Sequence, residues 1–186
     1  MLREYKNVVA WKYEEMPGLD PKLVTHKLSV NPKAKPVKQP ARKYHLDVKE
    51  KIKVEVDKLL KAGFVEEIKC PEWLANIVLV KKKGGQIRIY VDFRDLNKAC
   101  PKDEFLLPNV DILVDVVAGH EHFSFMDGYG GYNQIFMETA DAQKITFKTP
   151  FRNYYYKMMH FELKLKNAGA TYQRTVTLIF GDMLHK

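Results

Sequence analysis

Cysteine is nearly absent. The 186 residues hold two, Cys70 and Cys100, with no C-x-x-C spacing. That excludes a disulfide framework, argues against structural zinc and fits a reducing compartment. Long apolar runs are missing too: no stretch approaches the ~18 residues of a membrane helix. No basic n-region followed by an apolar core opens the chain. Neither a membrane span nor a signal peptide is therefore predicted, and a cytoplasmic or nuclear location is expected. Acidic residues are the scarcer charge, 23 Asp and Glu against 31 Lys and Arg, for a formal net charge of +8. Such a balance favours an anionic partner, most commonly nucleic acid, although a solvated basic surface reads the same way. What is present is ample apolar material. A 46% hydrophobic content excludes wholesale disorder, and the length suits one domain or two small lobes sharing a core.

Residues 1–46 read as an extended lead-in, in which Val24, His26, Leu28 and Val30 alternate like a short strand. The proline-rich run Pro32 to Pro40 is expected to cross a surface in extended form. Lys33, Lys35, Lys38, Arg42 and Lys43 can either contact phosphates or keep a linker solvated. Asp47 and Glu50 have capping-box spacing, and Val48, Ile52, Val56, Leu59 and Leu60 form the apolar stripe of a helix that Gly63 stops. Short strands are expected over Phe64–Ile68, Leu74–Val80 and Gln86–Asp92. The last two form a hairpin whose tip is Lys81-Lys82-Lys83-Gly84-Gly85. Lys81, Lys82 and Arg88 can fold over a polyphosphate, or they can guard an exposed edge. Arg94, between Asp92 and Asp95, reads as an ion-pair hub.

A second helix is predicted from Pro108 to Ala118, with Val110, Leu113, Val114 and Val117 facing inward. A second hairpin follows around Pro150-Phe151-Arg152-Asn153, where Tyr154, Tyr155 and Tyr156 either stack bases or pack. A final helix runs to about Met183, with Ala168, Thr171, Tyr172, Thr175, Leu178 and Ile179 inside. Small residues at Ala168, Gly169 and Ala170 permit a close approach to its start.

The chemistry centres on Phe123-Ser124-Phe125-Met126-Asp127-Gly128-Tyr129-Gly130-Gly131-Tyr132-Asn133-Gln134-Ile135. A short apolar strand ending in Asp127 fixes a carboxylate at its edge, as metal chemistry requires. The glycines behind it allow close backbone approach. Alone, the same residues also read as an ordinary turn.

In order along the chain, the segments Lys35–Pro40, Leu60–Val65, Pro71–Ala75, Val80–Lys83, Val91–Lys98, Asp127 with Gly131–Ile135, and Leu165–Gln173 resemble a reverse transcriptase. The likeness is to the gypsy-type long-terminal-repeat retrotransposon polyprotein, in particular its plant versions. It implies an α+β chain with a partial right-hand polymerase fold, fingers plus an incomplete ferredoxin-like palm. The implied division is lead-in 1–46, a fingers-like subdomain 47–107, and a partial palm with interleaved fingers elements 108–186.

The resemblance further implies an RNA or DNA template-primer and dNTPs as partners of the intact parent, with Mg2+ or Mn2+ as cofactor. Asp127 matches the first catalytic aspartate, and the Gly128 carbonyl stands where the family places a metal ligand. Lys82 and Arg88 match triphosphate-binding residues, and Tyr132 the aromatic gate under the sugar. Phe161 stands against sugar and base, while Lys166 and Gln173 lie beside template and nucleotide. Two-metal chemistry needs carboxylates shared between ions about 4 Å apart. The family's Tyr-x-Asp-Asp hairpin occurs nowhere in these residues, so the chain is expected to be inactive by itself and to stop just before that motif. Other departures are the extra residues around Glu162, expected to misplace Phe161, and Arg152 in place of a glycine, expected to strain its turn. Gly128 in place of a leucine is expected to loosen the strand that holds Asp127.

Overall fold

The computed structural model describes residues 10, 15–81, 87–105, 109–122, 128, 130–160 and 163–183. The predicted strand at 123–127, the hairpin tip at 82–86 and residues 161–162 lie outside that set.

A five-stranded mixed sheet organises the chain. Its strands are β2 (Val65–Glu67), β3 (Ala75–Lys81), β4 (Ile87–Val91), β6 (Thr146–Lys148) and β7 (Asn153–Tyr156), in the order β2-β7-β6-β3-β4. β3 and β4 form the predicted antiparallel hairpin, with Leu79 opposite Ile89 and Val80 opposite Arg88. β6 pairs parallel with β3 and antiparallel with β7. Alternation assigns the faces: Ile77, Ile87, Ile89 and Val91 are buried, while Val78, Val80, Arg88 and Tyr90 share the other face. β1 (Thr25–His26) and β5 (Phe136–Met137) make a separate parallel pair. The predicted alternation holds beyond β1, since His26 and Leu28 are both fully buried. The ladder stops where the Asp141 carboxylate takes the Leu28 N–H at 2.8 Å.

Helix α1 (Leu46–Lys61) packs on β4 and β2 through buried Ile52 and Val56, each contributing about 1.5–3 kcal/mol. The predicted capping box is corrected. The helix begins one residue before Asp47, His45 is the N-cap, and no side chain caps it. Asp47 therefore acts within the first turn, as a charge on the helix dipole. Gly63, at φ +72°, ends the helix: the Phe64 N–H reaches Leu59 O and the Gly63 N–H reaches Leu60 O, each at 3.0 Å. The proline-rich segment does more than cross a surface. The Leu74 N–H donates to Val37 O, and the Gln39 N–H donates to Leu74 O. The Gln39 side chain also bonds Asn76, Asp92 and Asp95.

Short helices α2 (Arg94–Ala99) and α4 (Thr139–Ala142) link the strands. The β6–β7 turn is closed by Thr149, whose hydroxyl donates to Arg152 O and accepts from the Arg152 N–H. Strain at Arg152 is not found. It is not among the residues with positive φ, and its guanidinium pairs with Glu67 on β2. Tyr154 and Tyr156 are buried against Phe147, so packing accounts for these two tyrosines.

Two predicted inner faces need correction. In α3 (Val110–Val117), Val110, Val114 and Val117 are exposed, as are Ile112 and Val116; the Leu113 side chain lies outside the described set. In α5 (Ala168–Phe180), Ala168 and Thr175 are buried, but Leu178 and Ile179 are exposed. Apolar spacing shaped both helices, and among the described residues nothing covers α3 or the last turn of α5.

Candidate active site

Backbone geometry builds the site from the glycines. The Gly131 N–H donates to Gly128 O at 2.9 Å, Gly130 sits in the left-handed region at φ 54°, and a 3-10 turn runs Gly131–Gln134. The turn ends on Ile135, which is fully buried and anchors it. Tyr132 is thereby laid flat on Tyr172 of α5, ring centroids 4.8 Å apart and planes 10° from parallel. The Tyr172 hydroxyl fits between two glycines. A Cβ on Gly131 would come within 2.6 Å of that oxygen, and one on Gly128 within 3.3 Å. Gly128 therefore leaves room that Tyr172 fills. The small residues at the start of α5 also have their use, since Gly169 faces the Tyr132 hydroxyl.

The start of α5 is tied down by Asn97 of α2 and by the segment that follows α2. Asn167 stands at φ 69°, its Oδ1 accepting the Asp103 N–H and its Nδ2 donating to Pro101 O, both at 2.9 Å. Arg174 pairs with Asp103 and lies over the Phe105 ring at 4.7 Å. Lys166 donates its ammonium to Cys100 O at 2.6 Å and its N–H to Asn97 Oδ1. These two bonds hold the loop before α5 against Asn97 and Cys100. Gln173 is half-buried on α5, beside Tyr172.

On the exposed face of the β3–β4 hairpin lies a groove of about 590 Å³. Val78, Val80 and Tyr90 floor it, and three cations, Arg42, Arg94 and Lys164, line it together with one carboxylate, Asp92. Arg94 grips Asp92 through two bonds of 2.7 Å, with Arg42 at 3.9 Å, and these contacts hold the Asp92 carboxyl below the usual carboxylate range. Arg94 is thus the predicted ion-pair hub. The Lys164 ammonium stands 6.0 Å from the centre of the Tyr90 ring. Arg88 projects from the same face as Tyr90.

Of the predicted site residues, the structure places Arg88, Gly128, Tyr132 and Gln173; Lys82, Asp127 and Phe161 lie outside the described residues. Among the described residues no three Asp, Glu, His or Cys side chains converge as a metal site would need. The Gly128 carbonyl is engaged in closing its turn. The donors that the sequence assigns, one carboxylate and one carbonyl, do not fit two ions that each need several oxygen ligands. Sequence reading missed the Tyr172 platform, although an aromatic just beyond Ala168-Gly169-Ala170 was its signal. It also missed the groove, which strand alternation at Val78, Val80, Arg88 and Tyr90 could have revealed.

This mixed sheet with its glycine turn and stacked tyrosines is a right-hand polymerase-like fold. It is similar to the foamy virus protease–reverse transcriptase, with a TM-score of 0.77, 16% identity, and coverage of 97% of this chain and 24% of that one. The same viral enzyme solved in complex with an RNA/DNA hybrid gives a TM-score of 0.74 at 15% identity, over 99% of this chain and 24% of that one. Residues 80–183 match the family model described as reverse transcriptase (RNA-dependent DNA polymerase), and the chain belongs to that family. Its relatives include the retrovirus-related Pol polyprotein from transposon 297 of Drosophila melanogaster, 30% identical over 78% of this chain and 14% of that protein. The transposon Tf2-7 polyprotein of Schizosaccharomyces pombe is 28% identical over 69% of this chain and 10% of its own length. The chain thus resembles a small part of long-terminal-repeat retroelement polyproteins. No described helix is long and apolar enough to cross a membrane.

Proposed function

We propose that this chain is the fingers and part of the palm of an RNA-directed DNA polymerase from a gypsy-type element of plant kind. In the intact parent it binds template-primer and dNTP for two-metal nucleotidyl transfer with Mg2+ or Mn2+, and by itself it does not polymerise. The division at residues 46 and 107 into lead-in, fingers-like and palm parts belongs to the same reading. The observation that carries it is the Tyr132 ring, stacked on Tyr172, whose own hydroxyl is seated against Gly128 and Gly131. That arrangement offers a flat aromatic face, five residues after Asp127 in the sequence, on which a sugar ring can rest. Lys82 and Arg88 would neutralise the triphosphate, with Phe161 and Gln173 beside the nucleotide. The remaining carboxylates would come from a Tyr-x-Asp-Asp segment of the parent.

A second reading, a non-enzymatic nucleic-acid-binding module derived from such an element, is favoured by the basic groove around Tyr90. Primer extension with Mg2+ or Mn2+ separates catalysis from binding. No product is expected from the purified chain, and template-dependent product that vanishes in D127A would overturn the inactivity. Salt-dependent binding of an RNA–DNA duplex, weakened in K82Q/R88Q, is expected under both readings. Its absence would overturn both.

A further inference from the structure

We infer that His26 is a positioning residue for the tyrosine platform: through Thr171 the lead-in sets α5 in the orientation at which Tyr172 supports Tyr132. The inference rests on the polymerase reading for the platform's use, and its geometry is tested apart from that reading. Three features join the lead-in to the glycine turn. The Leu19 N–H donates to Gln134 O, at the end of that turn, at 2.7 Å. β1 pairs with β5 just beyond the turn, and the Glu138 N–H donates to His26 O at 2.9 Å. Gly18, at φ +77°, lets the backbone in close, since a Cβ there would come within 2.8 Å of the Phe136 ring. His26 then reaches α5, where its Nδ1 and the Thr171 hydroxyl share a 2.8 Å hydrogen bond. Thr171 immediately precedes Tyr172. The lead-in thus touches both halves of the stack, and His26 is its contact with the second.

Apolar packing alone does not orient α5. Its buried residues are Ala168 and Thr175, one small and one hydroxylic, while Leu178, Ile179 and Phe180 are exposed. With so little apolar area beneath it, the helix loses little burial by turning about its axis. The Arg174–Asp103 ion pair is exposed, and such pairs contribute little. The bonds of Lys166 and Asn167 lie ahead of the helix and fix where it begins. Thr175 donates its hydroxyl to Thr171 O at 2.8 Å, a bond within the helix itself. The His26–Thr171 bond joins the helix body to a residue 145 positions away, and its direction resists rotation.

Stability would not choose histidine at this position. His26 is fully buried, and its Nε2 has no hydrogen-bond partner among the described residues. A buried polar atom left unpaired is destabilising, a cost that an apolar side chain of similar shape avoids. What histidine adds over leucine is a ring nitrogen directed at Thr171. An apolar side chain would fill the space yet leave α5 free to turn, and the Tyr172 hydroxyl with it. That hydroxyl has a narrow seat, because a Cβ on Gly131 would come within 2.6 Å of it.

The test labels the purified full chain with fluorotyrosine and follows it by fluorine NMR. The Tyr132 and Tyr172 signals are assigned by their loss in Y132F and Y172F. Stacked rings shift each other's signals, so these two report the platform, while buried Tyr154 and Tyr156 report the sheet. H26L and T171V are each expected to move the Tyr132 and Tyr172 signals toward those of unstacked rings, leaving Tyr154 and Tyr156 in place. The double variant should move them no further, as for two halves of one bond. H26N, whose amide can stand in for Nδ1, is expected to restore the stacked positions. The urea midpoint of H26L at neutral pH should match or exceed that of the wild type, which separates lost positioning from lost stability. T171V, close to isosteric, carries the test should H26L fail to fold. Platform signals that stay put in T171V, or that H26N fails to restore, overturn the inference. Shifts that spread to Tyr154 and Tyr156 would make the bond a general support of the core, and overturn it equally. The readout needs no nucleotide. Failure of the chain to bind an RNA–DNA duplex therefore strikes the polymerase reading, whereas an undisturbed stack in T171V strikes the positioning role alone.

Discussion

Helices α1 and α3 both carry enough apolar surface to need a partner, and among the described residues only α1 has one. Ile52 is 0% and Val56 4% exposed beneath the sheet, whereas Val110 is 68% and Val114 58% exposed on α3. Apolar periodicity foretold both helices equally well. The difference teaches that such a pattern states a demand for burial without saying where the burying surface lies. The first region answers its own demand, through a sheet that draws strands from residues 65–91 and 146–156. The second leaves apolar side chains on α3 and on the last turn of α5 facing outward.

The largest effect that can break this contrast lies at the centre of the sheet. Phe147 is fully buried on β6, packed against Tyr154 and Tyr156. F147A is expected to cost about 3–5 kcal/mol by urea denaturation, the usual range for removing a buried ring. A cost below about 1 kcal/mol would mean that the sheet is no better packed than α3.

Next comes acid. His26 is fully buried, its Nδ1 sharing a 2.8 Å hydrogen bond with the Thr171 hydroxyl. Burial pushes its pKa down to about 4, with Asp141 opposing the shift. The unfolded chain, titrating near 6.5, takes the proton first. Stability is therefore full at neutral pH, falls as pH drops through 6.5, and finishes falling near pH 4. The loss is about 3 kcal/mol in all, of which about 2 falls between pH 6.5 and 5. His160, also held near 4 by burial, adds to the same window. Urea midpoints across that window should fall less in H26Q than in the wild type; an equal fall would place the acid sensitivity elsewhere.

The glycine turn meets α5 at the Tyr132–Tyr172 stack, and G131A probes it. The added Cβ would lie 2.6 Å from the Tyr172 hydroxyl and 2.8 Å from the ring. Tyr172 cannot swing freely, because Tyr132 covers its face. Overpacking of this kind costs about 1–3 kcal/mol. Thermal unfolding that leaves G131A unchanged would show that α5 and the glycine turn move independently.

How much of this was legible from sequence follows from the range of the forces involved. The β3–β4 hairpin, the Gly63 stop and the β6–β7 turn depend on neighbours a few residues away, and each could be read from its own segment. The lead-in could not. Its bonds from Val37 and Gln39 to Leu74 and Asn76 span more than thirty positions, and Pro32 to Pro40 looked only extended. Tyr172 read correctly as an inner-face residue, but its partner Tyr132 lies forty positions earlier. Asp47 misled because capping-box spacing fits any helix start within a residue, and the first turn opened at Leu46 instead. The candidate site was legible as a list of residue types joined by a family likeness. Its working geometry, a hydroxyl seated between two glycines, required coordinates.

The smallest expected effect sharpens the comparison most. V114A removes two methyl groups from an apolar helix, a change that costs about 0.5–3 kcal/mol when it opens a core. Val114 is 58% exposed, so little burial is lost, and alanine is the better helix former by a few tenths. The two terms nearly cancel, and the stability change should stay within about 0.5 kcal/mol. I52A on α1 supplies the control, at about 2–5 kcal/mol. If V114A instead proves as costly as I52A in dilute solution, α3 must be covered by residues outside the described set. If its cost rises with protein concentration, the cover is a second copy of the chain, because stabilisation by association grows with mass action. Either result would close the gap between the two helices, and only a flat, near-zero response keeps α3 as the unpartnered half of the pair.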